Sequence, residues 1–274
     1  MPAAVVPVAV GAAAAVGEPT DPVWWRVAAA LVVSLMLQVG VNYANDYSDG
    51  VRGTDDVRVG PTRLVASGLA SASSVKRAAL ASFGVAAVAG LAVALSTSLG
   101  LLVVGAAAIA AGWFYTGGPK PYGYLGLGEV FVFVFFGLVA TAGTTFAAIE
   151  TITALSLVMG CAVGSLACAL LVINNLRDIP TDREVGKKTL AVRLGDRRTR
   201  WFYVGLIAGA FVLCAVGAFW RVPVLLGLLA FPLAIRPVRS VVGGATGAAL
   251  IPVLGETGKV QLAWGLLVTI GLTL

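Results

Sequence analysis

The sequence predicts an all-α, polytopic membrane protein that crosses the bilayer about nine times. Hydrophobic residues make up 59% of its 274 residues and charged residues only 12%, and the mean hydropathy is +0.95. These values lie outside the range of soluble globular domains. The apolar residues are also grouped into segments of roughly 17 to 25 residues, which are long enough to cross a hydrocarbon layer of about 30 Å as helices.

The apolar segments follow one another along the whole chain, and the first and last are short. They are predicted approximately over 3–16, 23–43, 75–95, 99–115, 129–148, 152–173, 201–219, 223–235 and 260–274. The first begins "MPAAVVPVAV", without the basic leading region of a signal peptide. It is therefore predicted to be either a tilted span or a segment whose natural start lies upstream.

The basic residues predict the orientation in the membrane. If the amino terminus is cytoplasmic, all but Arg26 and Arg221 of the 19 Lys and Arg residues fall on the cytoplasmic side. So large an asymmetry fixes the topology in the cell membrane by the positive-inside rule. The net charge of +6 is then an orientation signal, and a nucleic-acid partner loses its support.

Two acidic stretches lie on the predicted cytoplasmic side, each where a span ends: "NDYSDGVRGTD" from Asn45 and "NNLRDIPTD" from Asn174. In both, an asparagine precedes an aspartate by four residues, Asp49 in the first and Asp178 in the second. Each pair would project from one face of a helix. Pro180 predicts an irregular turn after Asp178, because proline removes a backbone donor.

Any one of these aspartates alone is typical of a solvated loop or a helix cap. Two such clusters on one side of the membrane favour a binding site, because like charges near a low dielectric repel one another and need a positive partner. The set contains only carboxylate and amide oxygens, and the chain has no histidine. Hard oxygen ligands of this kind suit Mg²⁺, which usually completes its shell with water and substrate phosphate.

Basic residues near the two stretches could hold the outer oxygens of a diphosphate. They include Arg52, Arg58, Arg63, Lys120, Arg177, Lys187 and Lys188. A diphosphate at the mouth of an apolar bundle suggests an isoprenoid chain among the helices. Metal neutralisation would let its allylic C–O bond ionise, and an electron-rich partner would capture the cation. Such a mechanism does not require a histidine base.

The two acidic stretches on a chain of about nine spans resemble the UbiA superfamily of membrane prenyltransferases. Three stretches are most similar to the branch that prenylates 1,4-dihydroxy-2-naphthoate in menaquinone biosynthesis. They are "NYANDYSDGVRGTD", "WFYTGGPKPYGYLGLGEVFVFVFFG" and "VINNLRDIPTDREVGKKTLAVRLG". "ALIPVLGETGKVQLAWGLL", near the carboxyl end, also fits. The resemblance covers nearly the full chain and implies a single domain, 1–274, with helices around a central apolar cavity and an active site at the cytoplasmic rim.

The resemblance and the basic residues together imply a set of site residues. Mg²⁺ would be held, directly or through water, by Asn45, Asp46, Asp49, Asp55, Asn174, Asp178 and Asp182. Catalytic roles would fall on Asp49, Asp178, Asp182, Arg177 and Lys120. Substrate contacts would come from Asn45, Asn174, Asn175, Tyr115, Arg63 and Lys187.

The implied reaction transfers a polyprenyl group from its diphosphate to 1,4-dihydroxy-2-naphthoate, with release of diphosphate and CO₂, to give demethylmenaquinone. Many superfamily members carry the last aspartate of the first motif where this chain has Gly53, and here Asp55 follows two residues later. That spacing favours the naphthoate branch over the 4-hydroxybenzoate enzymes. Relatives commonly carry a basic start ahead of the first helix, and this chain begins just past it.

Other functions remain open from the sequence. Homogentisate, 4-hydroxybenzoate or a lipid glycerol could serve as the prenyl acceptor. A transporter is disfavoured because transporters usually place ionisable residues near the bilayer midplane, and a CDP-alcohol phosphotransferase is disfavoured because its D-G-x-x-A-R start is missing. The glycine-rich run from Tyr115 to Gly128 lacks the Lys-Ser/Thr ending of a P-loop and is predicted to be a turn or lid.

Overall fold

A computed structural model describes residues 1–53 and 62–274 of the chain. Helices form most of the described structure. The α-helices are α1 (Pro2–Ala15), α2 (Trp24–Arg52), α3 (Ala72–Ser96), α4 (Gly100–Phe114), α5 (Gly128–Val132), α6 (Ala140–Ile149), α7 (Ala154–Glu184), α8 (Leu190–Leu194), α9 (Asp196–Gly217), α10 (Phe231–Val242) and α11 (Leu250–Thr273). A π-helical segment, Phe133–Val139, joins α5 to α6, and 3₁₀ turns cover Tyr122–Leu125, Val222–Ala230 and Gly247–Ala249.

Six helical segments in the described ranges are long and apolar enough to cross a membrane. They are Trp24–Arg52, Ala72–Ser96, Gly128–Ile149, Ala154–Glu184, Asp196–Gly217 and Val222–Val242. Helices α1 and α4 are apolar but shorter, and α11, which carries Glu256 and Lys259 in its first half, is not among the six. The prediction of an all-α, multi-pass membrane protein is confirmed, and the number of about nine spans stays a prediction.

Two helices run well past the predicted ends of their spans. Helix α2 continues from the predicted end at residue 43 to Arg52, and α7 continues from residue 173 to Glu184. Helix α2 then ends at Gly53, whose left-handed backbone (φ +69°) lets its N–H reach the carbonyls of Asp49 and Gly50. Both acidic stretches therefore lie mainly on the last helical turns.

The predicted irregular turn at Pro180 is wrong. Helix α7 continues through Pro180 to Glu184 without a break. The proline lies close to the carboxyl end of the helix, so only a short stretch has to tolerate the missing N–H donor. Asp178 and Asp182 consequently lie one helical turn apart and can project from the same face.

Helix α7 is the most buried of the six long segments, and glycines let a neighbour approach it closely. A Cβ atom built on Gly137, in the π-helical segment, would lie 2.5 Å from the Cα of Gly164 and 2.8 Å from the carbonyl oxygen of Gly160. Small residues allow this kind of backbone contact in membrane helix packing. The contact fixes the 128–149 segment against α7.

Ion pairs lie at the end of the bundle opposite the acidic stretches. Arg26 pairs with Glu150 at 2.8 Å, and Arg221 lies 3.4 Å from Glu18. Arg221 also donates to the carbonyl of Leu272 near the end of α11, where unpaired helix carbonyls accept cations well. The two basic residues that the topology prediction placed outside are thus both neutralised by carboxylates.

Candidate active site

Asp49, on the last turns of α2, is contacted from two other parts of the chain. The phenol of Tyr124 donates a hydrogen bond to its Oδ1, and the Nζ of Lys187 lies 3.4 Å from the same oxygen. Lys187 also lies 4.6 Å from the centre of the Tyr124 ring, within cation–π range. Asp49 therefore joins α2 to the loop after α4 and to the loop after α7.

The loop after α4 is bound to α2 by a second set of contacts. The hydroxyl of Thr116 donates to Oδ1 of Asn45 at 2.8 Å. The guanidinium of Arg52 donates to the carbonyl oxygens of Thr116 and Gly118. The first contact positions the side chain of the predicted Asn45, which lines the cavity, and the Arg52 contacts hold the loop against α2.

Asp46 binds the backbone of the segment that begins at Thr62, where the described part of the chain resumes. Its two carboxylate oxygens accept the backbone N–H groups of Leu64 and Val65 at 2.9 and 3.0 Å. This pairing places Arg63 beside the site. Asp55, a predicted metal ligand, lies outside the described residues.

The second acidic stretch is held by its own basic and hydroxyl partners. Arg177 is 5% exposed and binds Asp178 with two hydrogen bonds of 2.7 and 2.8 Å. Such a two-point pairing fixes both the position and the plane of a carboxylate. Asp182 is buried near the hydroxyl of Thr189, at 3.4 Å, and its backbone carbonyl accepts the N–H of Lys187.

A further contact lies one helical turn deeper. The Nδ2 of Asn175 donates to Oε1 of Glu129 at 2.8 Å. The rings of Tyr122 and Phe131 stack with their centres 4.0 Å apart, and Tyr115 meets Tyr122 edge to face at 5.5 Å. This part of the site is therefore a mixed polar and aromatic wall.

These side chains line a cavity of about 1140 Å³. Its polar end contains most of the predicted site residues: Asn45, Asp46, Asp49, Arg63, Tyr115, Asn174, Asn175, Asp178, Asp182 and Lys187. Away from this end the lining becomes apolar, with Leu37 of α2, Gly90 of α3, Ile109 of α4, and Phe135 and Gly143 of the 128–149 segment. The cavity has the dimensions of a site for a sizeable, largely apolar ligand.

Of the predicted site residues that the structure describes, two do not line the cavity. Lys120 is exposed on the loop after α4. Arg177 lies beneath Asp178, so its guanidinium acts through that carboxylate. The structure thus separates the predicted catalytic residues into three that line the cavity (Asp49, Asp178 and Asp182), one that orients another (Arg177) and one that is exposed outside the cavity (Lys120).

Lys187 supplies positive charge beside Asp49 at the polar end of the cavity. Burial lowers the pKa of this lysine, but the carboxylate of Asp49, the phenol of Tyr124 and the carboxylate of Asp182 more than offset that effect, and the pKa lies above its usual value of 10.5. Lys187 is therefore a permanent cation at neutral pH. It is suited to contact a polyanion in a cavity that also carries several carboxylates.

The donor set fits Mg²⁺ shared with a ligand. Within 1–53 and 62–274, no three or more His, Cys, Asp or Glu side chains converge into a ready-made metal cluster. The cavity instead presents separate carboxylate and amide oxygens from α2 and α7. This is the arrangement expected when a hard cation keeps water and takes further oxygens from a phosphate.

Sequence reasoning missed three residues that the geometry brings into the site: Thr116, Tyr124 and Glu129. All three belong to the loop after α4 and the start of α5, and the glycine-rich run around them gave only the prediction of a turn or lid. The sequence offered one indication, which is that these residues lie between the two acidic stretches and on the same predicted side of the membrane. Nothing in the linear pattern identified which of their polar atoms would meet Asp49, Asn45 or Asn175.

The fold and the site define a membrane prenyltransferase. The model of the UbiA prenyltransferase family matches residues 4–243, and the chain belongs to this family. The chain is 51% identical to the 1,4-dihydroxy-2-naphthoate octaprenyltransferase of Mycobacterium tuberculosis, over 98% of this chain and 91% of that protein. It is 36% identical to the protein of the same name from Escherichia coli, over 92% of this chain and 87% of that protein.

Solved structures show the same fold. A UbiA homologue from Aeropyrum pernix in its apo form superposes with a TM-score of 0.74 and 16% identity, over 98% of this chain and 96% of that chain. A UbiA homologue from Archaeoglobus fulgidus bound to GPP and Mg²⁺ superposes with a TM-score of 0.60 and 15% identity, over 98% of this chain and 97% of that chain. At these identities the likeness is one of fold.

Proposed function

We propose that this protein transfers a polyprenyl group from polyprenyl diphosphate to 1,4-dihydroxy-2-naphthoate. Diphosphate and CO₂ are released, and the direct product is the prenylated naphthoquinol, demethylmenaquinol, which becomes demethylmenaquinone when a separate two-electron oxidant removes its hydrogens. The observation that carries the proposal is that one cavity joins two acidic stretches and Lys187 at one end to an apolar lining at the other. The names of relatives 36% and 51% identical over most of the chain support the acceptor.

The polar end of the cavity binds the diphosphate. Lys187 and Arg63 line it and supply positive charge to the phosphate oxygens. The Mg²⁺ ligands, direct or through water, come from Asn45, Asp46, Asp49, Asp55, Asn174, Asp178 and Asp182. Asp46 contributes only the lone pairs left by its two backbone hydrogen bonds, and Arg177 holds Asp178 in place. The Archaeoglobus fulgidus homologue bound to GPP and Mg²⁺ supports the cofactor at the level of the family.

Magnesium, when bound, neutralises the diphosphate and makes it a better leaving group. The protein supplies position and exclusion of water. Lys187 and Arg63 hold the leaving phosphate, while the apolar lining keeps the allylic carbon dry. The allylic C–O bond breaks with its electron pair going to diphosphate, and the ring carbon that bears the carboxylate forms the new C–C bond.

Loss of CO₂ then returns an electron pair to the ring and restores its aromaticity. No protein base has to remove a ring proton, in agreement with the absence of histidine from the sequence. Asn174, Asn175 and Tyr115 line the cavity beside the second acidic stretch and contact the acceptor or the diphosphate. Lys120, exposed on the loop after α4, acts only if that loop closes over the bound substrate.

The proposal includes a topology. Residues 1–274 form one domain with about nine spans around the cavity, embedded in lipid. The amino terminus and the acidic stretches face the cytoplasm, as the distribution of Lys and Arg predicts. The placement of Arg26 and Arg221 at the end opposite Asp49 and Asp178 supports this orientation.

The test is an acceptor panel with the full-length protein in lipid nanodiscs. Octaprenyl diphosphate and Mg²⁺ are supplied with 1,4-dihydroxy-2-naphthoate, homogentisate or 4-hydroxybenzoate, and products are identified by mass spectrometry. We expect prenylated naphthoquinol and one CO₂ per turnover with the naphthoate. Product from another acceptor, and none from the naphthoate, would overturn the assignment.

A further inference from the structure

Glu129 is a buried carboxylate that the proposed reaction has not used. It is 4% exposed and lies at the start of the 128–149 segment. Its Oε1 accepts a hydrogen bond from Nδ2 of Asn175, and its Oε2 has no hydrogen-bond partner among the described residues. A buried oxygen without a partner reduces stability, so this carboxylate needs an explanation other than packing.

The contact fixes the orientation of the Asn175 carboxamide. The hydrogen bond runs from Nδ2 of Asn175 to Oε1 of Glu129, so the NH₂ group of the carboxamide is the part that faces Glu129. The amide oxygen, Oδ1, is then left as the polar atom that Asn175 can offer to the cavity it lines. Oδ1 is an acceptor, and it recognises an O–H or N–H donor on a ligand.

The surroundings of Asn175 suit a flat aromatic ligand. Tyr115, Tyr122 and Phe131 line the same cavity and contact one another as rings. A Cβ atom on Gly128 would lie 3.3 Å from the Tyr115 hydroxyl, so this phenol lies against the backbone next to Glu129. An aromatic surface and a fixed hydrogen-bond acceptor therefore lie together on one wall.

We propose that Glu129 is a positioning residue that holds Asn175 so that its Oδ1 accepts a hydrogen bond from a ring hydroxyl of the aromatic acceptor. This inference rests on the proposed function and specifies how the acceptor is selected. A site built around one buried hydrogen-bond acceptor rejects substrate analogues that have no O–H or N–H group to donate to it, because the buried atom is then left unpaired. The free naphthol is accepted and its methyl ether is rejected.

The experiment measures kcat and KM separately for the acceptor and for the prenyl diphosphate in the full-length protein. Glu129→Leu removes the partner of Asn175, and Glu129→Gln retains an oxygen that can face Nδ2. Thr141→Val is the matched control, because Thr141 is also buried on the same segment and its hydroxyl has no hydrogen-bond partner within the described part of the chain. Each variant is also tested with the mono-O-methyl ether of the acceptor.

We expect Glu129→Leu to lower kcat/KM for the acceptor by about 10- to 100-fold, the effect of a lost hydrogen bond in a buried site. In Glu129→Leu, the KM for prenyl diphosphate should stay within about twofold of the wild-type value, and the preference for the naphthol over its methyl ether should fall. Glu129→Gln should recover most of the lost kcat/KM for the acceptor. In an Asn175→Ala background, Glu129→Leu has no further effect, because the two residues act as one unit.

Three results would overturn the inference. The first is a kcat/KM for the acceptor in Glu129→Leu that is no different from that in Thr141→Val. The second is an equal loss of kcat/KM toward both substrates, and the third is a further loss when Glu129→Leu is added to Asn175→Ala. If Glu129→Leu does not fold, the Gln variant decides, since a folded Gln variant with a raised acceptor KM contradicts positioning by an acceptor oxygen. Failure of the proposed function is seen separately, as a wild-type protein that makes no prenylated naphthoquinol.

Discussion

The phenol of Tyr124 donates a hydrogen bond to Oδ1 of Asp49, and both residues line the polar end of the cavity. The two residues belong to different elements, the 3₁₀ turn Tyr122–Leu125 and helix α2. Their contact makes the loop after α4 part of the site. It also gives Asp49 a neutral hydrogen-bond donor in addition to the cation Lys187.

Tyr124→Phe is expected to lower kcat/KM for prenyl diphosphate by roughly 10- to 100-fold, since a hydrogen bond to a charged group contributes about 1.5–3 kcal/mol. The phenylalanine ring keeps the contacts with Arg52 and Lys187. Tyr47→Phe is the matched control, because Tyr47 lies on the same helix as Asp49 and stacks on Trp113 through its ring. Equal activity of both variants would contradict a role for the Tyr124 hydroxyl.

Asp46 and Asp49 are expected to differ in their dependence on magnesium. Asp46 already pairs with the N–H groups of Leu64 and Val65, so Asp46→Ala should release this segment and reduce turnover. It should raise the Mg²⁺ concentration for half activity less than Asp49→Ala does, because only the remaining lone pairs of Asp46 can face the metal. Asp49→Ala should raise that concentration by at least about 10-fold or abolish activity. A Mg²⁺ titration of both variants decides, and equal shifts would contradict the distinction.

The pH profile of Lys187→Gln follows from the raised pKa of this lysine. The ion pair with Asp49 is fully present below the usual lysine pKa of 10.5 and is lost only as the pH rises through the still higher folded-state value. We expect kcat/KM for prenyl diphosphate to fall by about 10-fold in the variant. The ratio of wild type to variant should stay constant between about pH 7 and pH 9. A ratio that approaches one over this range would show that Lys187 deprotonates there. Exposed Arg198→Gln serves as the charge-matched control.

Gly137→Ala is expected to destabilise the fold by about 1–3 kcal/mol, because overpacking forces backbone shifts. The new Cβ would meet Gly164 and Gly160 of α7 at 2.5 and 2.8 Å. Gly143→Ala lies on the same segment with open space around its Cβ position and should leave the melting temperature in detergent nearly unchanged. If both variants melt at the wild-type temperature, the close packing of the two segments is wrong.

The fold class could be predicted because lipid imposes simple rules on composition and segment length. The two acidic stretches were also predictable, since their charge at the end of apolar spans is conspicuous in a linear sequence. The ends of α2 and α7 were not, because hydropathy marks where a helix leaves lipid and not where helical hydrogen bonding stops. Pro180 shows the same limit, since helix α7 tolerates a proline that local propensity disfavours.

The partners within the site could not be predicted, because they come from residues far apart in sequence. Tyr124 meets Asp49 across 75 positions, and Glu129 meets Asn175 across 46. Such contacts depend on how helices pack around the cavity, and glycine contacts such as that of Gly137 with Gly164 set this packing. Arg177 was predicted to be catalytic by its position next to Asp178, and the structure places it beneath that carboxylate.

The central claim is that α2 and α7 together hold one diphosphate with magnesium. Its most direct test is the binding of geranyl diphosphate to the purified protein without acceptor, measured with and without Mg²⁺ for wild type, Asp49→Ala, Asp178→Ala and the double variant. We expect omission of Mg²⁺, or either substitution, to raise Kd at least about 10-fold, which corresponds to about 1.4 kcal/mol of binding free energy. The double variant should lose less binding free energy than the sum of the two single losses. Unchanged, Mg²⁺-independent binding in the two single variants would contradict the account.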